Sequence, residues 1–542
     1  MTKEKKYIIG AFLVGMTYRL LMGLQGMESS DIGFCMTFYQ NIFTHPDAMP
    51  YYFNYYLTGL VGGLWQMAFG GFGLMGFRVL ETLTLTAAMV VTYMTFRPWL
   101  TTTRTAVIAI LISSLFPSFI RTFHYDTLSF LLMAISVYAM MQWQRKERQG
   151  WLIVAGVMIG VSYFARFVNG TLVLLTLVPF FWGCRQSWRK GMIDAAVYFG
   201  GIATGALMIV GLMSALGHWQ YFVAGQAEAM GTIGYRDTFH SSGNLMGSYM
   251  KSYLDIALQV IAIAVIALFY GDAGHLSRKW KLPIRSLLLG LLFVLVFISQ
   301  PYLSAVALCT LLIVTTSRIL PFAVYAVLCA YLFPIGSEVG IPGIVQRCGA
   351  LLVIPAACCY LQLSGAWKRN AVVALCIYIS LLMMYRMSSS ADSKSVLRLD
   401  AGTIAIPGSL NVMVDEESAL RYRNEVARIQ EYGADSQLLL IANQASELYY
   451  ATGKLPFTGN TLLEAFIGED LPIQLDRQYA HYQELPMIVF LKHGVDDEKE
   501  IEFRQTLSSW MERFHYQPVY EDDDLQLFKG HLSQPTTNSP QP

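Results

Sequence analysis

A succession of apolar segments, each close to the length needed to cross a lipid bilayer, fills the first 387 residues of the chain. A transmembrane helix needs about 20 apolar residues in a row. With 54% hydrophobic and only 14% charged residues, the composition excludes an ordinary soluble globular protein. We therefore predict a polytopic α-helical membrane protein with about 11 to 13 spans. The candidate spans are 7–25, 77–96, 105–121, 127–143, 151–165, 168–183, 192–214, 254–271, 285–299, 302–316, 319–334, 345–363 and 371–387.

The charged residues divide the chain into two regions of opposite net charge. Of the 37 acidic residues, 24 lie after residue 386, together with only 12 of the 38 basic residues. The net charge is therefore near −12 in the C-terminal part and near +13 before it. This contrast predicts a transmembrane body over 1–387 and an acidic, water-soluble domain over 388–530. The tail 531–542, rich in Pro, Ser, Thr and Gln, is predicted to be disordered.

The C-terminal region changes from long apolar runs to short ones separated by amphipathic stretches. Its short runs predict buried strands, and its amphipathic stretches predict helices. Together they indicate a small α/β domain. The strands are predicted at Leu438–Ala442, Met487–Leu491 and Leu525–Phe528, and the helices at Glu416–Tyr432 and Asp497–Phe514.

The basic residues of the body also predict its orientation. If the N-terminus is cytoplasmic and the spans alternate, 18 basic residues fall in cytoplasmic loops and seven on the other side. This bias agrees with the excess of Lys and Arg that cytoplasmic loops carry. An odd number of spans then places the acidic C-terminal domain outside the cytoplasm.

The first extracytoplasmic loop, 26–76, combines acidic residues with two helical patterns. Apolar side chains recur at helical spacing over 30–43, which predicts an interfacial helix. The aromatic, uncharged stretch 52–70 is compatible with an interfacial helix or with a span. It is assigned to the interface because a span there would reverse the charge bias of the later loops. Glu28 and Asp31 follow the first span directly. A charge near hydrocarbon costs roughly 2.5–3.5 kcal/mol on insertion scales, which makes both carboxylates functional candidates.

Further ionisable residues are predicted on the same outer face. Cations there can neutralise a phosphate leaving group, and a carboxylate can accept a proton from an acceptor hydroxyl. An outward site of this kind next to lipid suits an amphiphilic, phosphate-bearing substrate. The acids in these loops include Asp31, Asp126, Asp237 and Glu338, and the bases include Arg166, Arg236, His240, Lys251 and Arg347.

At these residues the chain resembles the GT-C superfamily of polyprenyl-phosphate-sugar-dependent glycosyltransferases, near its protein O-mannosyltransferase and lipid A aminoarabinose transferase branch. The first similar pattern is the acidic start of an interfacial helix, Asp31 to Phe43, followed by Pro50-Tyr-Tyr-Phe-Asn-Tyr-Tyr56. The second is Gly73-Leu-Met-Gly-Phe-Arg78, at the head of the next span. The third is the glycine-rich run from Gly156 through Arg166 to Asn169. The likeness covers the first 190 residues best and the rest in layout.

The resemblance implies an inverting glycosyltransferase that moves a sugar from a polyprenyl-phosphate donor to an acceptor hydroxyl at the outer face of a membrane. By layout it favours the bacterial inner membrane. Asp31 would be the general base, with Glu28 and Asp126 as the other catalytic carboxylates. The donor phosphate would be held by Arg166, Arg236, Lys251 and His240. Other pocket residues would be Tyr55, Arg78, His124, Asn169 and Glu338.

The resemblance leaves two points open. The superfamily usually carries Asp-Glu or Glu-x-Asp after the first span, whereas here Glu28 precedes Asp31 by three residues. It is therefore open whether Asp31 works alone and whether a divalent cation, Mg²⁺ or Mn²⁺, is held by Asp31 and Asp126. The expected partners are the lipid-linked sugar donor, membrane lipid, and a glycan, lipid or protein acceptor, with no nucleic acid.

Each candidate also has an ordinary structural interpretation. Asp31 can cap its helix, Asp126 can pair with Arg121 or His124, and Arg166 can reach toward lipid headgroups. The remaining candidates can be loop charges, a structural histidine or a turn residue: Arg236, Lys251, His240 and Glu338.

Two other functional classes compete with the enzyme. A transporter or flippase of lipid-linked glycan would place ionisable residues near the midplane on broken helices, often in two related halves. Here such residues are few, Arg19 and Glu81, and the halves show no convincing repeat. The third hypothesis is a receptor or scaffold that acts through its C-terminal domain.

Overall fold

The structure is a computed structural model that describes most of the chain. The described residues are 2–24, 26, 31–100, 103–115, 121–234, 242–272, 277–293, 306–307, 309–310, 313, 321–335, 348–362, 403–405, 410–443, 445–462, 471–492 and 498–530. By their contacts the residues divide into two compact units. The first unit comprises 1–23, 78–217 and 242–390, and the second comprises 24–77, 218–241 and 391–542.

Helices account for most of the described residues. They are α1 (Lys3–Gly23), α2 (Asp31–Asn41), α3 (Tyr56–Phe69), α4 (Gly73–Phe96), α5 (Thr103–Leu115), α6 (Tyr125–Lys146), α7 (Gln149–Ala165), α8 (Leu177–Cys184), α9 (Trp188–Ala215), α10 (Trp219–Gly234), α11 (Ser242–Asp272), α12 (Arg278–Phe293), α13 (Pro321–Leu332), α14 (Ala350–Gln362), α15 (Glu416–Tyr432), α16 (Glu447–Thr452), α17 (Leu471–Tyr482) and α18 (Glu498–Arg513). Short 3-10 helices occupy Pro46–Ala48, Pro50–Tyr55, Gly70–Phe72, Arg97–Trp99 and Phe167–Thr176.

The membrane character predicted for residues 1–387 is confirmed by their apolar helices. Among the described residues, four helical stretches are long and apolar enough to cross a bilayer: Pro50–Trp99, Phe167–Cys184, Trp188–Ala215 and Tyr249–Tyr270. Two shorter apolar helices are Gln149–Ala165 and Phe322–Leu332. In the described residues, each predicted span from 7–25 to 254–271 overlaps a helix. Most of 302–316 and all of 371–387 lie outside the described residues, so the total number of spans stays a prediction.

Glycines hold α7 and α9 at close range in the first unit. A Cβ on Gly160 would come within 2.1 Å of the Ile202 carbonyl oxygen, and a Cβ on Gly201 within 2.4 Å of the Ile153 carbonyl oxygen. Each helix carries its glycines four residues apart, with partners at Gly156 and Gly205. Small residues at this spacing let membrane helices approach backbone to backbone.

A buried chain of hydroxyl groups ties four helices of the first unit together. The Ser136 hydroxyl on α6 donates to the Ala155 carbonyl of α7, at 2.9 Å, and lies 2.6 Å from the Tyr325 hydroxyl on α13. The Tyr325 hydroxyl is in turn 2.7 Å from that of Tyr198 on α9. In a medium that offers no water, such mutual pairing is what makes buried hydroxyls tolerable.

The second unit contains the predicted α/β domain. Its main sheet has the strand order β4-β3-β5-β7-β6, where β3 is Leu438–Ile441, β4 Leu455–Pro456, β5 Met487–Leu491, β6 Gln517–Glu521 and β7 Leu525–Lys529. β3 pairs in parallel with β4 and β5, whereas β7 runs antiparallel to β5 and β6. A separate pair joins β1 (Thr403–Ala405) to β2 (Met413–Asp415). The predicted fold class, a helical membrane body with a small C-terminal α/β domain, is confirmed.

The loop 26–76, assigned to the membrane body from sequence, groups with the C-terminal domain in the structure. On α2, a Cβ at Gly33 would lie 2.0 Å from the Glu447 amide nitrogen, so the two backbones touch. The Tyr52 hydroxyl donates to Thr461 Oγ1, at 2.7 Å, and accepts from the Thr461 amide, at 2.9 Å. The tail 531–542 lies outside the described residues.

Candidate active site

The α6–α7 hairpin brings three predicted site residues of the first unit to one end. Asp126 lies in the first turn of α6, His124 immediately precedes that helix, and Arg166 follows α7. The Asp126 carboxylate is 3.7 Å from both His124 Nε2 and Arg166 Nη1. All three side chains are buried, with Asp126 only 1% exposed. Buried charges need such compensation, so the three residues form one electrostatic unit.

Arg166 is held by several groups at once. Its Nη1 donates to the Phe333 carbonyl at 2.6 Å and its Nη2 to the Ile335 carbonyl at 3.5 Å, both just after α13. The guanidinium also lies over the rings of Tyr125 and Phe333, at 5.7 and 5.3 Å. Arg166 therefore joins the end of α7 to the end of α13 and fixes the charge beside Asp126.

His124 is oriented by its neighbours. Its Nδ1 lies 2.7 Å from the Thr122 carbonyl, and its backbone amide donates to Thr127 Oγ1 at 3.2 Å. Burial by itself lowers the pKa of His124, but the nearby negative charges of Asp126 and Glu81 outweigh burial and raise it. These charges therefore stabilise the imidazolium form relative to the neutral ring. The sequence allows Asp126 to pair with Arg121 or His124, and in the structure His124 lies beside Asp126.

Arg78 and Asn169 bind backbone and side-chain groups that are mostly distant in the chain. Arg78 Nε donates to the Arg121 carbonyl at 2.9 Å, and its Nη1 donates to the Gly23 carbonyl. Asn169 Nδ2 donates to Ser129 Oγ at 2.8 Å and to the Ser162 carbonyl at 3.0 Å. Both side chains are buried and link helices of the first unit.

Glu81 is a residue whose importance the sequence did not reveal. Its buried carboxylate acts electrostatically on Arg19, Arg78 and His124. When Arg121 and Arg166 are included, the described residues around Glu81 and Asp126 contain more basic side chains than carboxylates. The available sequence signal was the position of Glu81, one helical turn after Arg78 on α4. Its other partners, Arg19 and His124, come from distant parts of the chain.

In the second unit, Asp31 and Tyr55 lie beside an aromatic cluster. Asp31 is the half-buried first residue of α2, where its charge complements the helix N-terminus. One turn later, the ring of Phe34 stacks on Tyr52 with centroids 4.1 Å apart and meets Tyr55 edge-on at 5.8 Å. Tyr51 contacts the same Phe34 ring at 6.4 Å.

Glu228 is a second carboxylate that sequence analysis did not single out. It lies on α10, which the sequence does not predict as a helix. The segment 215–253 lies between two predicted spans and contains no apolar run long enough to be a span itself. Burial raises the pKa of Glu228 to about 7, although the positive charge of Arg477 opposes the shift. Its charge also acts on Tyr51, whose hydroxyl bonds Tyr55. Glu228 therefore extends the polar surroundings of Tyr55.

The other predicted site residues are less informative. Lys251 is exposed on α11 in the first unit. Glu28, Arg236, His240 and Glu338 lie outside the described residues.

The surroundings of Asp126 do not fit a divalent cation. Its compensating neighbours are an arginine and a raised-pKa histidine rather than further carboxylates. Within the described ranges, no three His, Cys, Asp or Glu side chains are grouped so that they could hold a metal ion.

Comparison with known proteins agrees with this architecture. Residues 63–214 match the family described as dolichyl-phosphate-mannose-protein mannosyltransferase. The apo oligosaccharyltransferase of Archaeoglobus fulgidus is similar in fold, with a TM-score of 0.51 and 11% identity over 90% of this chain and 69% of that one. No curated protein sequence matches the chain.

Two further solved structures are similar at lower scores. The Archaeoglobus fulgidus oligosaccharyltransferase AglB, in complex with an inhibitory peptide and a dolichol-phosphate, gives a TM-score of 0.48 at 11% identity over 90% of this chain and 70% of that one. ArnT from Cupriavidus metallidurans in the apo state gives 0.39 at 13% identity over 96% and 97%. The expected resemblance to membrane glycosyltransferases of the GT-C type is confirmed by the matched family and the fold.

Proposed function

We propose that this protein is a glycosyltransferase that moves a sugar from a polyprenyl-phosphate donor to an acceptor hydroxyl. The observation that carries the proposal is the family match over residues 63–214, because that stretch contains the whole His124–Asp126–Arg166 cluster. The fold shared with an oligosaccharyltransferase supports the same reaction class.

The cationic end of the first unit suits the phosphate of the donor. Arg78 and Arg121 lie near each other there, the pKa of His124 is raised, and Arg166 is held by carbonyl groups and Asp126. A preorganised positive field stabilises the negative charge that develops as a lipid phosphate leaves. In this proposal Arg166 and Asp126 position the cluster, and Arg236, Lys251 and His240 complete the phosphate site.

Asp31 is the proposed general base. Its carboxylate takes the proton of the acceptor hydroxyl as the hydroxyl oxygen forms a bond to the anomeric carbon. The bond from that carbon to the phosphate oxygen breaks in line, and the polyprenyl phosphate leaves with the electron pair. Attack opposite the leaving group inverts the anomeric configuration. Glu28 and the Glu228–Tyr55 neighbourhood would then help to bind the acceptor.

The proposed setting is a bacterial plasma membrane, with this chemistry on the outer face. The turn between α6 and α7, at the end of the hairpin opposite Arg166, carries Arg145, Lys146 and Arg148. A basic end of this kind marks the cytoplasmic side of membrane proteins. The C-terminal domain would then lie outside the cytoplasm.

The test replaces Asp31 by asparagine and measures transfer of a labelled sugar from polyprenyl phosphate to a panel of acceptors. General-base catalysis contributes about 10²–10⁴-fold, so we expect a loss of that size with donor binding retained. Asp47→Asn is the matched control, because Asp47 is an exposed carboxylate in the same loop. Transfer by Asp31→Asn at the rate of Asp47→Asn would remove Asp31 from the mechanism.

A further inference from the structure

A lateral groove opens on the first unit between the chain segment that follows Arg166 and the helix α13. Its volume is about 670 Å³. One wall contains part of the 3-10 helix Phe167–Thr176, which is narrower than an α-helix and so leaves space beside its neighbour. The lining is apolar apart from a single arginine: Leu174, Leu175, Leu177, Val178, Phe181, Trp182, Arg185, Val324, Leu328 and Leu332.

Arg185 lies at the basic end of the unit, away from the candidate active site. The Asp194 carboxylate accepts hydrogen bonds from Gln149, the first residue of α7, at 2.8 Å and from Lys190 at 2.5 Å. These contacts place the α8–α9 turn beside the α6–α7 turn, at the opposite end of α7 from Arg166. Arg185 is therefore at the end that the charge pattern assigns to the cytoplasm.

The side chains around Arg185 match the boundary between hydrocarbon and headgroups. Its guanidinium lies 4.6 Å from the centre of the ring of Trp182, which also lines the groove. Trp188, at the start of α9, is 69% exposed, and Arg189 follows it on the surface. Tryptophan and arginine at one level are typical of a membrane interface.

We propose that this groove binds an anionic glycerophospholipid of the cytoplasmic leaflet, with one acyl chain along the apolar walls and its phosphate at Arg185. A basic residue closing a pocket between membrane helices is how such headgroups are recognised. A volume of this size is in the range of small-ligand pockets. The proposed sugar donor is a different ligand, since its phosphate belongs at the Arg166 end of α7.

The experiment measures phospholipid binding to the purified full-length protein by native mass spectrometry. Phosphatidylglycerol and phosphatidylcholine with the same acyl chains are compared. The attraction of one arginine near a charged headgroup corresponds to about fivefold tighter binding of the anionic lipid. We expect Arg185→Gln to remove this preference. Arg148→Gln, a neutralised exposed arginine at the same end of the unit, should retain it.

A second pair of variants tests the apolar walls. Leu328→Trp fills the groove and should reduce binding of both lipids, whereas Leu207→Trp, on the exposed surface of α9, should not. Equal binding of the two lipids to the wild type would refute the proposal, as would equal effects of Arg185→Gln and Arg148→Gln. Copurification of polyprenyl phosphate in the groove, displaced by Leu328→Trp, would assign the site to a different lipid. Sugar transfer is measured in parallel, so the failure of either proposal leaves the other testable.

Discussion

At the scale of single residues, the burial of Asp126 explains the placement of Arg166. A carboxylate 1% exposed in a membrane protein needs a fixed counter-charge, and Arg166 provides one at 3.7 Å while its guanidinium also donates to two carbonyl groups after α13. His124 gives the second contact. The same three residues can therefore stabilise the fold and shape the field around a phosphate.

This arrangement predicts strong coupling between the two charges. Arg166→Gln leaves the Asp126 carboxylate buried without its main cation, which typically costs about 3–5 kcal/mol. We expect a marked fall in the thermal midpoint of the protein in detergent. Adding Asp126→Asn to Arg166→Gln should restore much of that stability, because no charge then remains uncompensated. A double variant that shows the summed loss of the two single variants would contradict the ion pair.

The sequence predicted which residues of this cluster matter better than it predicted their partners. Acidic and basic residues stood out because they were few in an apolar body, so His124, Asp126 and Arg166 were found. Glu81 and Glu228 were not, since their significance comes from burial and from charges on other elements: Arg19 and His124 for Glu81, and Arg477 for Glu228. Burial of that kind depends on tertiary packing and has no local signature.

At the scale of elements, the α7–α9 contact is set by glycine. Gly201 has the Ile153 carbonyl oxygen 2.4 Å from where its Cβ would be, while the adjacent Gly200 has nothing within 4 Å. A side chain on Gly201 must therefore separate the two helices. The hydrogen bond from Ser136 on α6 to the Ala155 carbonyl on α7 would be strained by the same displacement.

Gly201→Val and Gly200→Val form a matched pair on one helix. Overpacking a tight interface costs about 1–3 kcal/mol, occasionally more, so Gly201→Val should lower the thermal midpoint well below that of Gly200→Val. The change in helix propensity is the same in both variants, which leaves packing as the difference. Equal midpoints would show that α7 and α9 do not rely on backbone contact.

Element prediction succeeded where periodicity was clear. The helix Glu416–Tyr432 and the strand Met487–Leu491 have the predicted bounds, and a helix is observed at Asp31–Asn41, within the stretch 30–43 predicted to be helical. The interfacial position of that helix stays a prediction. The helix α10 was missed, because its pattern is weakly amphipathic and no capping signal marks its start. It packs on the 3-10 helix Pro50–Tyr55 through Gly225, which lies against the Pro50 carbonyl.

At the scale of the whole molecule, the sequence predicted a helical membrane body and a small C-terminal α/β domain, and both are present. It did not predict that the loop 26–76 joins the C-terminal domain. The reason is that the joining contacts are made by a glycine, Gly33, and by the hydroxyl of Tyr52, neither of which carries a sequence pattern for a partner more than 400 residues away.

The most direct test of the central claim supplies one labelled sugar to the purified protein in proteoliposomes, either on polyprenyl phosphate or on a nucleoside diphosphate. We predict that label reaches an acceptor hydroxyl only from the lipid donor, with one polyprenyl phosphate released for each sugar transferred. Transfer from the nucleotide donor without lipid would contradict a lipid-linked donor. Passage of the intact labelled lipid between leaflets, with its sugar retained, would instead identify a flippase.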